Sequence, residues 1–208
     1  MPAMSTAVLS RRTLLAAGLA LTAAPALAAP DCPRLIAAAR RQIGVTTGYD
    51  PAYRKLAYPG GDLPRETGVC ADVIVRGARD AFGLDLQRLV HEDMTAAFSA
   101  YPKKWGLPHP DANIDHRRVP NLETYWRRSG AEVWRGRSIL WGSGFPGPLQ
   151  PGDILTWRLP GGGSHVGLVS QTGLLTRVIH NIGGGAQEVP LLELAAFSPY
   201  GLYRWPKA

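Results

Sequence analysis

The chain is poor in cysteine, with two in 208 residues, and it has no long apolar run and no block of like charge. Each absence removes a class of protein. Two cysteines cannot staple a small disulfide scaffold or fill a four-thiolate zinc site. No apolar run reaches the roughly 20 residues that a membrane-spanning helix needs. Lysine and arginine are scattered rather than massed, so the footprint of a nucleic-acid-binding protein is missing. No glycine-rich loop follows a strand and opens a helix, so no nucleotide cofactor is expected. His109, Asp111, Asp115 and His116 are metal-ligating types. No His-x-x-x-His or Cys-x-x-Cys spacing accompanies them, and no metal is expected.

What is present begins with 24 glycines and 18 prolines, which favour turns over a long helical bundle. Ser10-Arg11-Arg12-Thr13 precedes the apolar run Leu14 to Leu21, and Ala26-Leu27-Ala28 supplies a small-x-small cleavage pattern. Residues 1–28 therefore read as a cleaved export signal, and the paired arginines resemble the twin-arginine type. The mature chain, 29–208, is expected to be a single domain, periplasmic or secreted. Losing Arg11 and Arg12 lowers the formal charge from +7 to +5, the charge of an ordinary solvated surface.

Export sharpens the question of the two cysteines. In an oxidising compartment a Cys32–Cys70 disulfide is the default reading. The alternative makes Cys70 a nucleophile. Asp31 to Gly44 reads as a first helix, with Asp31 as its cap and Leu35, Ile36, Ala39 and Ile43 as its stripe. Residues 45–69 read as loop. Ala71 to Phe82 reads as a second helix that Gly83 stops. Leu86 to Tyr101 and Asn121 to Ser129 read as helices, the latter capped by Asn121. The pattern then changes to strands at 153–159, 165–170 and 177–182, with a further one at 201–205. Helices first and an antiparallel sheet after them is an α+β plan.

Cys70 thus falls at a helix N-terminus, where the dipole and unpaired N–H groups favour a thiolate and can hold an oxyanion. His165 and His180 fall on adjacent antiparallel strands, which can bring their side chains together. A cysteine, a histidine and a third polar group make a nucleophile, a base and an orienting group. Asn181 neighbours His180 but points to the opposite face. The strand's register decides between the two, and His180 is favoured.

These residues resemble the NlpC-type cell-wall peptidases, a bacterial branch of the papain-like fold. The resemblance rests on Tyr58-Pro59-Gly60-Gly61, Gly68-Val69-Cys70, Pro151-Gly152-Asp153-Ile154-Leu155-Thr156-Trp157, His165-Val166-Gly167-Leu168-Val169 and Ile179-His180-Asn181. The chain more closely resembles an uncharacterised secreted bacterial family, number twelve eighty-seven among the domains of unknown function. Its marks are Tyr-Asp-Pro-Ala-Tyr (49–53), Val-His-Glu-Asp-Met (90–94), Asn-Ile-Asp-His-Arg-Arg-Val-Pro-Asn (113–121) and Val-Ile-His-Asn-Ile-Gly (178–183).

The peptidase resemblance implies Cys70 as nucleophile, His165 as general base and His180 as the group that orients it. It also implies that Tyr58, twelve residues before the cysteine, joins the oxyanion site, although a loop aromatic packed on the core fits that position equally. The implied substrate is an amide bond in a peptidoglycan stem peptide, or another peptide or amide. Ala71-Asp72 departs from the peptidase pattern, in which serine usually follows the cysteine. A carboxylate beside the thiol raises its pKa unless it points away or pairs with an arginine. This departure keeps a non-catalytic wall-binding module open; a further alternative keeps the thiol chemistry but changes the acceptor, giving an acyl or amide transferase. His116, Arg117, Asp72 and Asn181 are the candidates for substrate contact, an arginine of this loop meeting a carboxylate bidentately. A structural polar network is the competing reading for the same residues.

Overall fold

The computed structural model describes residues 32–136, 144–146 and 148–207. The export signal read at 1–28 and the cap read at Asp31 lie outside the described residues. The elements in order are α1 (Cys32–Arg40), β1 (Gly48–Tyr49), β2 (Thr67–Gly68), α2 (Cys70–Phe82), α3 (Leu86–Ala96) and α4 (Val119–Arg128). The strands β3 (Glu132–Arg135), β4 (Ile154–Arg158), β5 (Ser164–Gln171), β6 (Arg177–Asn181), β7 (Ala186–Pro190) and β8 (Ser198–Tyr203) follow. The protein is α+β: the helices precede an antiparallel sheet of order β3-β8-β4-β5-β6-β7.

Helix α2 carries the fold's centre. Val73, Ile74, Ala78 and Ala81 are buried at helical spacing, and the stretch ends where Gly83 adopts φ 67° and returns its N–H to Ala78 and Arg79 carbonyls. A left-handed residue there costs glycine little and other residues more. α1 packs on α2, and the two share a core with Val166 and Leu168 of β5, Ile154 of β4 and Ile179 of β6. A second core lies on the other face of the sheet, from Leu155, Trp157, Val169, Val178, Leu194 and Leu202. Both faces of β4 are therefore covered, which is why Ile154 to Trp157 reads as an unbroken buried run.

Several boundaries differ from the sequence reading. α1 stops at Arg40, and residues 41–45 form turns. The segment read as helix to Tyr101 leaves the α-helix at Ala96 and continues as the 3₁₀ turn Phe98–Ala100. α4 begins at Val119 with Arg118 in the cap position, because Pro120 is pre-set for a first helical turn. Asn121 is inside the helix, and its amide donates to the Asp115 carbonyl at 3.2 Å. The last strand runs 198–203 rather than 201–205, and β3 and β7 join the sheet at its two edges.

Gly167 is required by packing. A methyl there would lie 2.5 Å from Val178 Cγ1 and 3.2 Å from the Ile179 carbonyl oxygen. Gly167→Ala is expected to cost about 1–3 kcal/mol by overpacking. Chemical denaturation checks this, and an unchanged midpoint would contradict the close approach of β5 and β6.

Candidate active site

Cys70 is the first residue of α2 and is 3% exposed. The start of that helix is fixed by charge. Asp72 accepts the Val69 N–H at 2.7 Å, half of a capping box. Its other partner is Arg117, whose Nε and Nη2 lie 3.1 and 2.9 Å from the carboxylate oxygens. Arg117 Nη2 also donates to the Asp50 carbonyl at 2.8 Å. This ion pair is buried at both ends. The carboxylate beside the thiol is thus matched to an arginine, although it still adds to the rise of the thiol.

The two proposed partner histidines meet on β5 and β6, with His165 Nε2 3.0 Å from His180 Nδ1. Val166 and Leu168 face the helices, so His165 faces the far side with Val169. By the same alternation His180 joins it and Asn181 does not. The His165 ring is enclosed by Trp157 at 5.7 Å and Phe197 at 6.0 Å. Cys70, on the helix side, meets the backbone of β5 at Val166, the residue after His165. The N–H of Val169 points to β4, 2.8 Å from the Asp153 carbonyl. Three residues earlier, the N–H of Val166 therefore points the other way, and it hydrogen-bonds the Cys70 sulfur. His180 occupies Nε2 of His165, which leaves Nδ1 as the ring nitrogen not bonded to His180.

Burial, not the helix dipole, sets the resting protonation. The Cys70 thiol is pushed up to about 11, chiefly by burial and also by Asp72, against the lowering effect of the Val166 N–H. The thiolate favoured by the helix position is thus not the resting form. Burial pushes His165 down to about 3, helped by His180, and pushes His180 down to about 4. The resting site is a neutral thiol beside neutral imidazoles.

The remaining candidates separate. Tyr58 is not at the thiol. Its ring packs on His91 of α3 at 5.0 Å, and its loop is tied to the far end of α2 where Arg79 donates to the Gly61 carbonyl. Nine residues of helix separate Arg79 from Cys70, roughly 13 Å. The tyrosine at the thiol is Tyr49, whose hydroxyl hydrogen-bonds Cys70 and is pushed up to about 12 by burial, with the thiol and Asp72 adding to the shift. β1 brings it there by pairing in parallel with β2, Tyr49 opposite Gly68. The sequence signal was present in Tyr-Asp-Pro-Ala-Tyr (49–53), but a two-residue parallel pairing leaves no periodicity to read.

His116 is buried, its Nδ1 has no hydrogen-bond partner among the described residues, and burial pushes it down to about 4. It does not line the cleft over Cys70. Arg117 lines that cleft, but Asp72 and backbone carbonyls occupy its nitrogens. Asn181 donates to the carbonyls of Gly48 and Gly68, both at 3.2 Å, and so ties β1 and β2 to the sheet. These residues, with Asp72, hold the site rather than face a ligand. Cys32 and Cys70 both remain thiols. The cleft itself, about 400 Å³, is walled by Tyr49, Tyr53, Trp105 and Arg118, with Cys70 and Ser164 at the thiol end.

Three buried histidines carry a stability consequence. His116, His165 and His180 are held below their unfolded value of 6.5, so below pH 6.5 the unfolded chain binds more protons than the folded one. Stability is full above pH 6.5 and falls as pH drops toward 4, by about 1.4 kcal/mol per pH unit for each proton taken up. Thermal midpoints should decline steadily from pH 7 to pH 4.5, and unfolding at pH 5 should take up protons. A midpoint unchanged between pH 7 and 5 would contradict the neutral, buried state of these rings.

Fold and site together define a two-layer α+β protein with a buried thiol at a helix N-terminus and a histidine pair at the adjoining strand end. Residues 36–205 match the family described as "Domain of unknown function (DUF1287)", and the chain belongs to that family. It is 51% identical over 160 residues to "Uncharacterized protein YijF" of Escherichia coli (strain K12), a match covering 74% of this chain and 73% of that protein. Among the described residues no helix is long and apolar enough to cross a membrane.

Proposed function

We propose that the protein is an exported cysteine hydrolase with a papain-like, NlpC-type arrangement, cleaving amide bonds in peptidoglycan stem peptides. The observation that supports this reading is the placement of the two groups at successive residues of β5: the Cys70 sulfur on the Val166 N–H, and His165 bonded to His180 through Nε2. The export pattern and the resemblance to wall peptidases favour the substrate class.

In the proposed reaction the Cys70 S–H proton passes to His165 Nδ1 as sulfur attacks the amide carbon. The S–C bond forms, and the carbonyl oxygen takes the negative charge. Backbone N–H groups at the start of α2 and the Tyr49 hydroxyl stand where an oxyanion would be received. His165, now cationic, is stabilised through Nε2–H on His180 Nδ1. It returns its proton to the leaving nitrogen as the C–N bond breaks. Water then attacks the thioester, giving its proton to His165, and Cys70 leaves as the thiol. Because the resting thiol is neutral, proton removal is coupled to attack, and His165 is the group that takes the proton.

Purified mature protein incubated with peptidoglycan tests this. Mass spectrometry should find stem peptides split with the gain of one water, and no such products from Cys70→Ala protein. The second reading, a wall-binding module on an inactivated peptidase fold, draws support from the raised thiol pKa. It expects unchanged sacculus binding by Cys70→Ala protein and no products from either form.

A further inference from the structure

The cleft over Cys70 is lined by Lys104, Arg117 and Arg118, and by no acidic residue among the described residues. Arg117 is committed to Asp72. The other two are not equally committed. Arg118 gives Nη1 to Asp115 at 2.9 Å, and its guanidinium lies 4.2 Å over the Trp105 ring. Its Nε and Nη2 have no hydrogen-bond partner among the described residues. Lys104 extends its ammonium to 5.2 Å from the same ring, with no carboxylate partner among the described residues. Trp105 thus holds two cations by its face at the cleft wall. Asp115, 2% exposed, pairs with one edge of Arg118, and Asp111 also lies within its electrostatic reach. A pre-positioned guanidinium edge beside an unpaired ammonium is suited to a planar carboxylate.

We infer that the cleft recognises a free carboxylate on the substrate near the amide presented to Cys70, and that Arg118 and Lys104, braced on Trp105, receive it. This rests on the hydrolase reading and names the chemistry that would decide which amides are taken. It moves the carboxylate contact from Arg117, where the sequence allows it, to its neighbour. The same site would discriminate against substrates whose carboxylate is capped as an amide. Such a cap removes the charge and offers N–H donors to groups that are themselves donors.

Binding tests this apart from turnover. In Cys70→Ala protein, two synthetic stem peptides are compared by titration calorimetry, identical except that the glutamate carboxylate is free in one and amidated in the other. The free acid should bind at least about tenfold more tightly. Adding Arg118→Gln or Lys104→Met should bring the ratio toward one. Lys104→Met guards against loss of fold from stranding Asp115. Equal affinities, no binding of either peptide, or a ratio that survives both substitutions would overturn the inference. Wild-type protein acting on both peptides separates the two failures. Cleavage without preference defeats the carboxylate site alone, and preference in binding without cleavage defeats the hydrolase alone.

Discussion

Replacing His165 by alanine is expected to slow amide cleavage by about 10²–10⁴-fold. The size follows from the resting state. A thiol already ionised would keep much of its nucleophilicity without a base. Cys70 is instead pushed up to about 11 by its burial, so attack near neutral pH must be accompanied by proton removal. The same imidazole must then protonate the leaving nitrogen. His180→Ala should cost less, because it removes the group that holds His165 rather than the one that moves the proton. The two variants should also differ in pH dependence, with the His165 variant regaining activity toward alkaline pH as hydroxide ionises the thiol. Initial rates on one substrate, with thermal melts to verify folding, make the comparison. Equal activity in the wild type and His165→Ala would remove the mechanism.

Arg117→Met is expected to destabilise the protein by about 3–5 kcal/mol. The substitution leaves the buried Asp72 still holding the Val69 N–H but without its arginine partner. It also strips the Asp50 carbonyl of its donor, loosening the loop that presents Tyr49. The stranded charge lies beside Cys70 and would raise the thiol further. Combining Arg117→Met with Asp72→Asn should recover part of the loss, since no unpaired charge then remains. Urea unfolding of the single and double variants measures both effects. A loss below about 1 kcal/mol in Arg117→Met would place the pair with exposed bridges, which contribute little.

The parts of this site that were legible in the sequence are those with a local signature. α2 announces itself by helical spacing and Gly83, and β5 and β6 by apolar runs beside glycine turns. The register that selects His180 over Asn181 follows from alternation once Val178 and Ile179 are assigned to opposite cores. Tyr49 was not legible because it arrives through a parallel pairing between segments 19 residues apart, Gly48 opposite Thr67. The peptidase resemblance implies Tyr58 instead, with a packed loop aromatic as the equal alternative, and the structure places its ring against His91 of α3. For Arg117 the sequence leaves a ligand contact and a structural polar network open, and its bond to Asp72, 45 residues earlier, is the structural network. The thiol's protonation was misread for a related reason. A helix N-terminus is visible in sequence, whereas the burial that outweighs it depends on β5 and the 45–69 loop closing over Cys70.

The most direct test of the central claim is to trap the acyl group on sulfur. Mature protein is incubated with stem peptides in the presence of hydroxylamine, and products are identified by mass. A Cys70 thioester predicts a peptide hydroxamate formed alongside the free acid in wild-type protein and neither product in Cys70→Ala. Free acid alone, or products that persist without Cys70, would contradict thiol catalysis at this site.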